Sequence, residues 1–205
     1  MATKSMYSFF LRRLHPLTGV VPIGAFLVEH FFTNSFAMFG AEVYNSKIDF
    51  FMGLPYLILI EIGLIWIPIL FHGLYGVYII YTGQVNVTRY GFYRNWMYLL
   101  QRITGVVALC FIVYHVYATR ISGLLTGHHV SFESVQQSLQ NPLVLVFYVL
   151  GILSASYHLG NGLFGFLITW GIAIGDKAQR ALSVLCLMVS AGMAIFGLAA
   201  LTYFL

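Results

Sequence analysis

The chain has 205 residues, of which 60% are hydrophobic and only 8% charged, and its mean hydropathy is +0.87. So few charges cannot coat a water-soluble globule, which leaves no room for a soluble domain and implies a protein solvated by lipid. The net charge of +4 is small, and where the charges sit says more than their sum.

Lipid offers no hydrogen bonds to bare backbone, so apolar runs longer than a barrel strand are expected to be helices. The opening MATKSMYSFFLRRLHP lacks a signal peptide's short apolar core and small-residue cleavage site, so the first span is expected to remain as an anchor. Spans are expected at about 16–39, 55–82, 95–121, 142–171 and 179–204, with Pro55 and Pro142 at favoured first-turn positions. Polar connections separate them: AEVYNSKIDFF, TGQVNVTRYGFYR, SGLLTGHHVSFESVQQSLQ and GIAIGDKAQR. The expected fold is an all-α integral membrane protein, a single transmembrane domain over residues 1–205, with the first four helices bundled and the fifth packed beside them through Ser190, Ala194 and Gly197. Cys110 and Cys186 stand alone in apolar runs and read as packing residues.

Lys4, Arg12, Arg13, Arg89, Arg94, Arg102, Lys177 and Arg180 fall at one set of helix ends, and Lys47 and Arg120 at the other. The positive-inside bias therefore puts the N-terminus in the cytoplasm. Tyr90, Tyr93, Trp96 and Tyr98 form an aromatic belt where the third span enters the membrane.

Four histidines, His30, His72, His115 and His158, recur at intervals of 42, 43 and 43 residues, one in each of the first four spans. The spans themselves repeat. TGVVPIGAFLVEHFF in the first matches TGVVALCFIVYHVY in the third, and HGLYGVY in the second answers HLGNGLFG in the fourth. At ~1.5 Å of rise per residue, His30 and His115 lie roughly 21 and 30 Å from the cytoplasmic starts of their helices. His72 and His158 lie about 25 and 24 Å from the opposite starts. The expected pairs are His30 with His115 in the outer half and His72 with His158 in the inner half.

An imidazole in a bilayer is costly unless a metal or strong partner takes its nitrogen. Two imidazoles at one depth on two helices can hold a six-coordinate haem b, and two such pairs would hold two. Gly76 and Gly162, each one turn after a histidine, would let a macrocycle approach the backbone. Zinc is the weaker alternative, since its sites favour cysteine or gather three ligands. A cytochrome b of the bc type is disfavoured because it carries two histidines on each of two helices. Polar interhelical hydrogen bonds remain the bland alternative for any single histidine. His128 and His129 fall in an outer loop, and His15 lies at the cytoplasmic interface.

Taken together, RRLHPLTGV, EHFFTN, FHGLYGVYI, FYRNWMYLLQRITG and YHLGNGLFGFLITWG resemble the dihaem, b558-type cytochrome b anchor subunits of succinate:menaquinone oxidoreductases and quinol:fumarate reductases, in their single-chain, five-helix form. The resemblance implies His72 and His158 as ligands of the inner haem and His30 and His115 as ligands of the outer one. It also implies a flavoprotein subunit with FAD and an iron–sulfur subunit docked on the cytoplasmic face of a bacterial cytoplasmic membrane, and menaquinone as electron acceptor. No nucleic acid is expected as a partner. CxxC is absent, and the GxGxxG string at Gly160–Gly165 lies inside the fourth apolar span rather than in a strand-to-helix loop, so flavin and clusters would belong to those subunits.

Two further residues are singled out. Glu61, about 9 Å below the outer start of the second span, is the candidate proton carrier for a quinone. Arg102, inside the third span, is the candidate partner for an inner-haem propionate. Alternative functions are a dihaem anchor of a hydrogenase or formate dehydrogenase, and a haem-free, proton-coupled transporter.

Overall fold

A computed structural model describes residues 2–205, with side chains from Met6 onward. Among the described residues five helices are long and apolar enough to cross a membrane: Met6–Phe39, Leu57–Thr82, Tyr93–Thr126, Pro142–Thr169 and Asp176–Thr202, the first to fifth spans below. The end of the bundle where the first span begins is called the N-terminal side, and the opposite end the C-terminal side.

Large apolar residues such as Phe32, Leu64, Leu74, Val113, Val146 and Ile195 face outward, as they must where the solvent is lipid. The second span has only Pro68 buried, whereas the fourth buries Tyr148, Gly151, Ile152, Ser154, Ser156 and Gly160. The fourth span is thus the central helix, packed along the third and fifth and crossing the first. Small residues set these approaches. A methyl group on Gly160 would strike Ser190 and Cys186 of the fifth span, one on Gly151 would strike the Phe111 ring of the third, and one on Gly197 would meet Phe31 and Ile152.

Three spans contain a π-helical turn: Gly19–Gly24 in the first, Ile62–Trp66 in the second and Tyr117–Ile121 in the third. The first contains Pro22, whose missing N–H and ring are poorly tolerated by a regular α turn. This turn explains a mismatch between the repeats. Thr18 precedes His30 by 12 residues and Thr104 precedes His115 by 11, and the wider turn takes up the extra residue.

The first span starts earlier than expected, because helix runs unbroken from Ala2 through the basic segment and Pro16. The second begins at Leu57, two residues after Pro55, because Tyr56 adopts a left-handed conformation (φ 57) between them. Pro142 does occupy the first turn of its helix, and the Asn141 side chain accepts the Leu143 N–H at 3.0 Å. The fifth span takes in Asp176–Arg180, which the polar pattern assigns to a connection.

Two C-terminal-side connections also fold. Ala41–Met52 and Phe132–Leu139 are helices, the second held by a capping box in which Ser131 and Ser134 satisfy each other's backbone N–H. Gly40, at φ 95, makes the sharp turn from the first span into the first of them. Asn45 locks the two together. Its Nδ2 donates to Glu133 at 3.2 Å and its Oδ1 accepts the Phe132 N–H at 2.8 Å. Beneath them lies a core of Phe31, Tyr44, Phe111, Leu139, Tyr148, Ile152, Leu201 and Phe204. Tyr44 is 2% exposed among the Phe132 and Phe204 rings, and burial, with a lesser contribution from Tyr148, pushes its hydroxyl up to about 12.

Candidate functional site

The alternating direction of the spans brings the four histidines together in two pairs. His30 and His115 have ring centroids 5.6 Å apart with planes at 82°, and His72 and His158 are 6.0 Å apart at 89°. Two imidazoles bonded to one metal at about 2 Å would have ring centres roughly 6 Å apart, so either pair could clasp a metal between its rings. Among the described residues no three His, Cys, Asp or Glu side chains gather where they could hold a metal ion.

The ring orientations of the pair nearer the N-terminal side follow from backbone hydrogen bonds. His72 Nδ1–H donates to the His15 carbonyl at 2.9 Å, and His158 Nδ1–H donates to the Gln101 carbonyl at 3.0 Å. A carbonyl only accepts, so each Nδ1 carries the proton and each Nε2 keeps its lone pair. That is the tautomer a metal ligand requires, fixed by the partner of its other nitrogen.

Close packing sets the rings as firmly. The Gly19 and Gly105 backbones lie against them, and a Cβ at those positions would stand 2.5 Å from His72 Cε1 and 2.8 Å from His158 Cε1. A Cβ added at Gly76 would stand 3.3 Å from His15 Nε2, and one at Gly162 3.2 Å from Gln101 Nε2.

On the other pair, His115 Nδ1 shares a hydrogen bond of 3.2 Å with the Tyr148 hydroxyl. Asn34 Nδ2 donates to the His30 carbonyl at 2.8 Å and reaches the ring Nε2 at 3.4 Å, while the Tyr44 hydroxyl donates to Asn34 Oδ1. The carboxylate of Glu29, the residue before His30, accepts from the Thr33 hydroxyl.

The remaining candidates have partners other than the four rings. Glu61 pairs with Arg120 of the third span, its Oε2 accepting from Nη2 at 2.7 Å and Nε at 3.1 Å. Arg102 lies over the Tyr98 ring, 3.1 Å from its centroid, and donates from Nη1 to the Tyr98 carbonyl, while its Nε is buried with no hydrogen-bond partner among the described residues. His128 and His129 are exposed.

A family model for the succinate dehydrogenase/fumarate reductase transmembrane subunit matches residues 84–199, more than half the chain. The succinate dehydrogenase cytochrome b558 subunit of Bacillus subtilis (strain 168) is 40% identical over 196 residues, covering 96% of each chain. The chain belongs to this family of transmembrane subunits. A succinate dehydrogenase hydrophobic membrane anchor subunit from Thermoplasma acidophilum is 32% identical over 98 residues, 47% of this chain and 76% of that protein. As a succinate dehydrogenase membrane subunit, this chain places its paired histidines between spans rather than at a loop.

Gly19, Gly105, Gln101 and Tyr148 are the site residues that sequence reasoning missed in this transmembrane subunit. The first two were legible in the repeated TGVV, whose glycine recurs at the same distance before each histidine-bearing neighbour. Nothing local marks Tyr148, which reaches His115 only because the third and fourth spans cross at Phe111 and Gly151.

Proposed function

We propose that this chain is the haem-bearing, quinone-reactive anchor of a succinate dehydrogenase, a single transmembrane domain with its N-terminus in the cytoplasm of a bacterial cell. His72 and His158 hold one haem b on the inner side, and His30 and His115 hold a second on the outer side. The carrying observation is the pair of facing imidazoles whose Nδ1 protons are committed to backbone carbonyls, leaving Nε2 lone pairs for iron. The buried, unpartnered Nε of Arg102 fits an acidic substituent of the inner group.

Bound haem supplies one-electron donation and acceptance, which suits a path from an iron–sulfur subunit and FAD-bearing flavoprotein at the cytoplasmic face to menaquinone near the outer face. The protein's own contribution is orientation and exclusion of water. Gly19 and Gly105 hold the inner rings in place, Tyr148 turns the His115 ring, and apolar helices keep both pairs dry. Glu61 supplies protons to the quinone. Arg120 donates to its Oε2 and so fixes where the carboxylate stands.

Reduced-minus-oxidised spectra of the purified complex test this proposal. Two b-type components are expected, with His72→Leu removing one and His115→Leu the other. Loss of the same component in both variants, or no b-type absorption in the wild type, would sink it.

A further inference from the structure

The environment of the inner histidines is built twice, once in each half of the chain. His15 and His72 exchange two hydrogen bonds: His72 Nδ1–H donates to the His15 carbonyl at 2.9 Å, and His15 Nε2–H donates back to the His72 carbonyl at 3.2 Å. Gln101 and His158 do the same, with 3.0 Å in both directions. Partners are 57 residues apart in both cases, and the second set follows the first at a constant offset of 86 residues. Gly19 corresponds to Gly105 and Gly76 to Gly162 at the same offset. In each half, one glycine makes room for the inner histidine and the other for the side chain that reaches back to it.

The outer histidines lack this relation. They follow one another at 85 residues, because the π turn at Gly19–Gly24 adds a residue ahead of His30, and neither takes part in a two-way bond with a neighbouring helix. A two-way bond has a specific consequence. A single acceptor fixes the tautomer but lets a ring slide along its helix, whereas a return bond to the histidine's own carbonyl ties the two helices at that level.

The two halves differ in the returning group. His15 stacks its ring on His72, with centroids 4.1 Å apart and planes at 8°. Gln101 instead gives an amide whose Oε1 accepts from Asn161 Nδ2 at 2.7 Å. Residue 75, at the position of Asn161 in the first half, is Tyr75, whose ring lies 5.7 Å from His15.

We propose that His15 and Gln101 are equivalent positioning residues, neither a ligand, which fix the His72 and His158 rings through these return bonds. The proposal rests on the assignment of His72 and His158 as ligands of one haem. In the purified complex, low-spin haem signals and the midpoint potential of each haem are measured for His15→Leu, Gln101→Leu, His15→Gln and Gln101→His.

Both leucine variants are expected to shift the signal and potential of the same haem, leave the other haem unchanged and retain two haems per chain. His15→Gln, which installs the other half's residue, is expected to return that haem to its wild-type values. Should His15→Leu not assemble, Gln101→Leu and His15→Gln carry the same comparison. Unshifted signals in Gln101→Leu, shifts in different haems, or loss of a haem in His15→Gln would each overturn the proposal while leaving the ligand assignment standing. Absence of low-spin haem in the wild type would instead defeat the ligand assignment and the proposal with it.

Discussion

If His72 and His158 hold the inner haem as proposed, replacing Gly19 with alanine should cost the complex that haem. Carbon atoms in contact rest about 3.5–4.0 Å apart, and the new Cβ would stand 2.5 Å from His72 Cε1, 2.9 Å from Nδ1 and 3.3 Å from Nε2. The ring or the first span must therefore move by roughly 1 Å, a strain of about 1–3 kcal/mol for an overpacked contact. A metal–ligand bond tolerates only about 0.2 Å, so the His72 nitrogen is carried out of bonding range. Gly105→Ala, with its Cβ 2.8 Å from His158 Cε1, should act on the same haem, somewhat more mildly. Gly76→Ala and Gly162→Ala meet only side-chain nitrogens at 3.3 and 3.2 Å, which need give by a few tenths of an ångström, and both haems should remain. Gly63→Ala has nothing within 4 Å and serves as the control. Haem per mole of protein, read by pyridine haemochrome, decides the matter. Full haem content in both Gly19→Ala and Gly105→Ala, or equal damage from Gly76→Ala, would refute the assignment of the two TGVV glycines as the seats of the rings.

Other perturbations have equally definite outcomes. Arg120→Leu strands Glu61, and because the pair is only 20% and 14% exposed the loss should be roughly 3 kcal/mol. The midpoint of thermal unfolding in detergent should fall, then recover in the Arg120→Leu, Glu61→Leu double variant, and equal midpoints in the two variants would contradict a coupled pair. Gly160→Ala sets a methyl group against Ser190 and 2.5 Å from the Cys186 carbonyl, a backbone atom that cannot swing aside. A destabilisation of about 1–3 kcal/mol is expected, against none for Gly192→Ala, whose Cβ meets open space. Glu133 is held below its ordinary value of 4.5, chiefly by its own backbone N–H and then by Asn45 and Ser131. Its stabilisation of the C-terminal-side helices is therefore present above 4.5 and lost as pH falls through the lowered value. Hydrogen-exchange protection over Phe132–Leu139, taken relative to the intrinsic exchange rate at each pH, should fall only in that acid range, and Asn45→Ala should flatten the response. Protection that stays constant with pH in the wild type would argue against it.

The spans were legible because lipid imposes a simple rule on composition, namely that a long apolar run must satisfy its own backbone by coiling. The helices at Ala41–Met52 and Phe132–Leu139 were not, because short polar segments gain helix only from tertiary partners, here Asn45 bridging to Glu133 and the Tyr44, Phe132 and Phe204 cluster. The earlier start of the first span has the same origin, since Pro16 is tolerated within a helix that packs His15 on His72. Nor could depth along a helix foretell that Glu61 would meet Arg120, which depends on how the second and third spans face each other.

By itself the sequence determined which histidines stand at a common level, because rise per residue and chain direction are fixed by the helix and by the bilayer's thickness. Only the tertiary structure decided how each ring is turned and what lies beside it. The expected open faces at Gly76 and Gly162 look onto His15 and Gln101, and the glycines that touch the imidazoles are Gly19 and Gly105 on the adjacent spans. Rotation of one helix about its axis relative to another leaves no trace in residue spacing. It is set by side-chain packing and by hydrogen bonds that close only when both helices are in place.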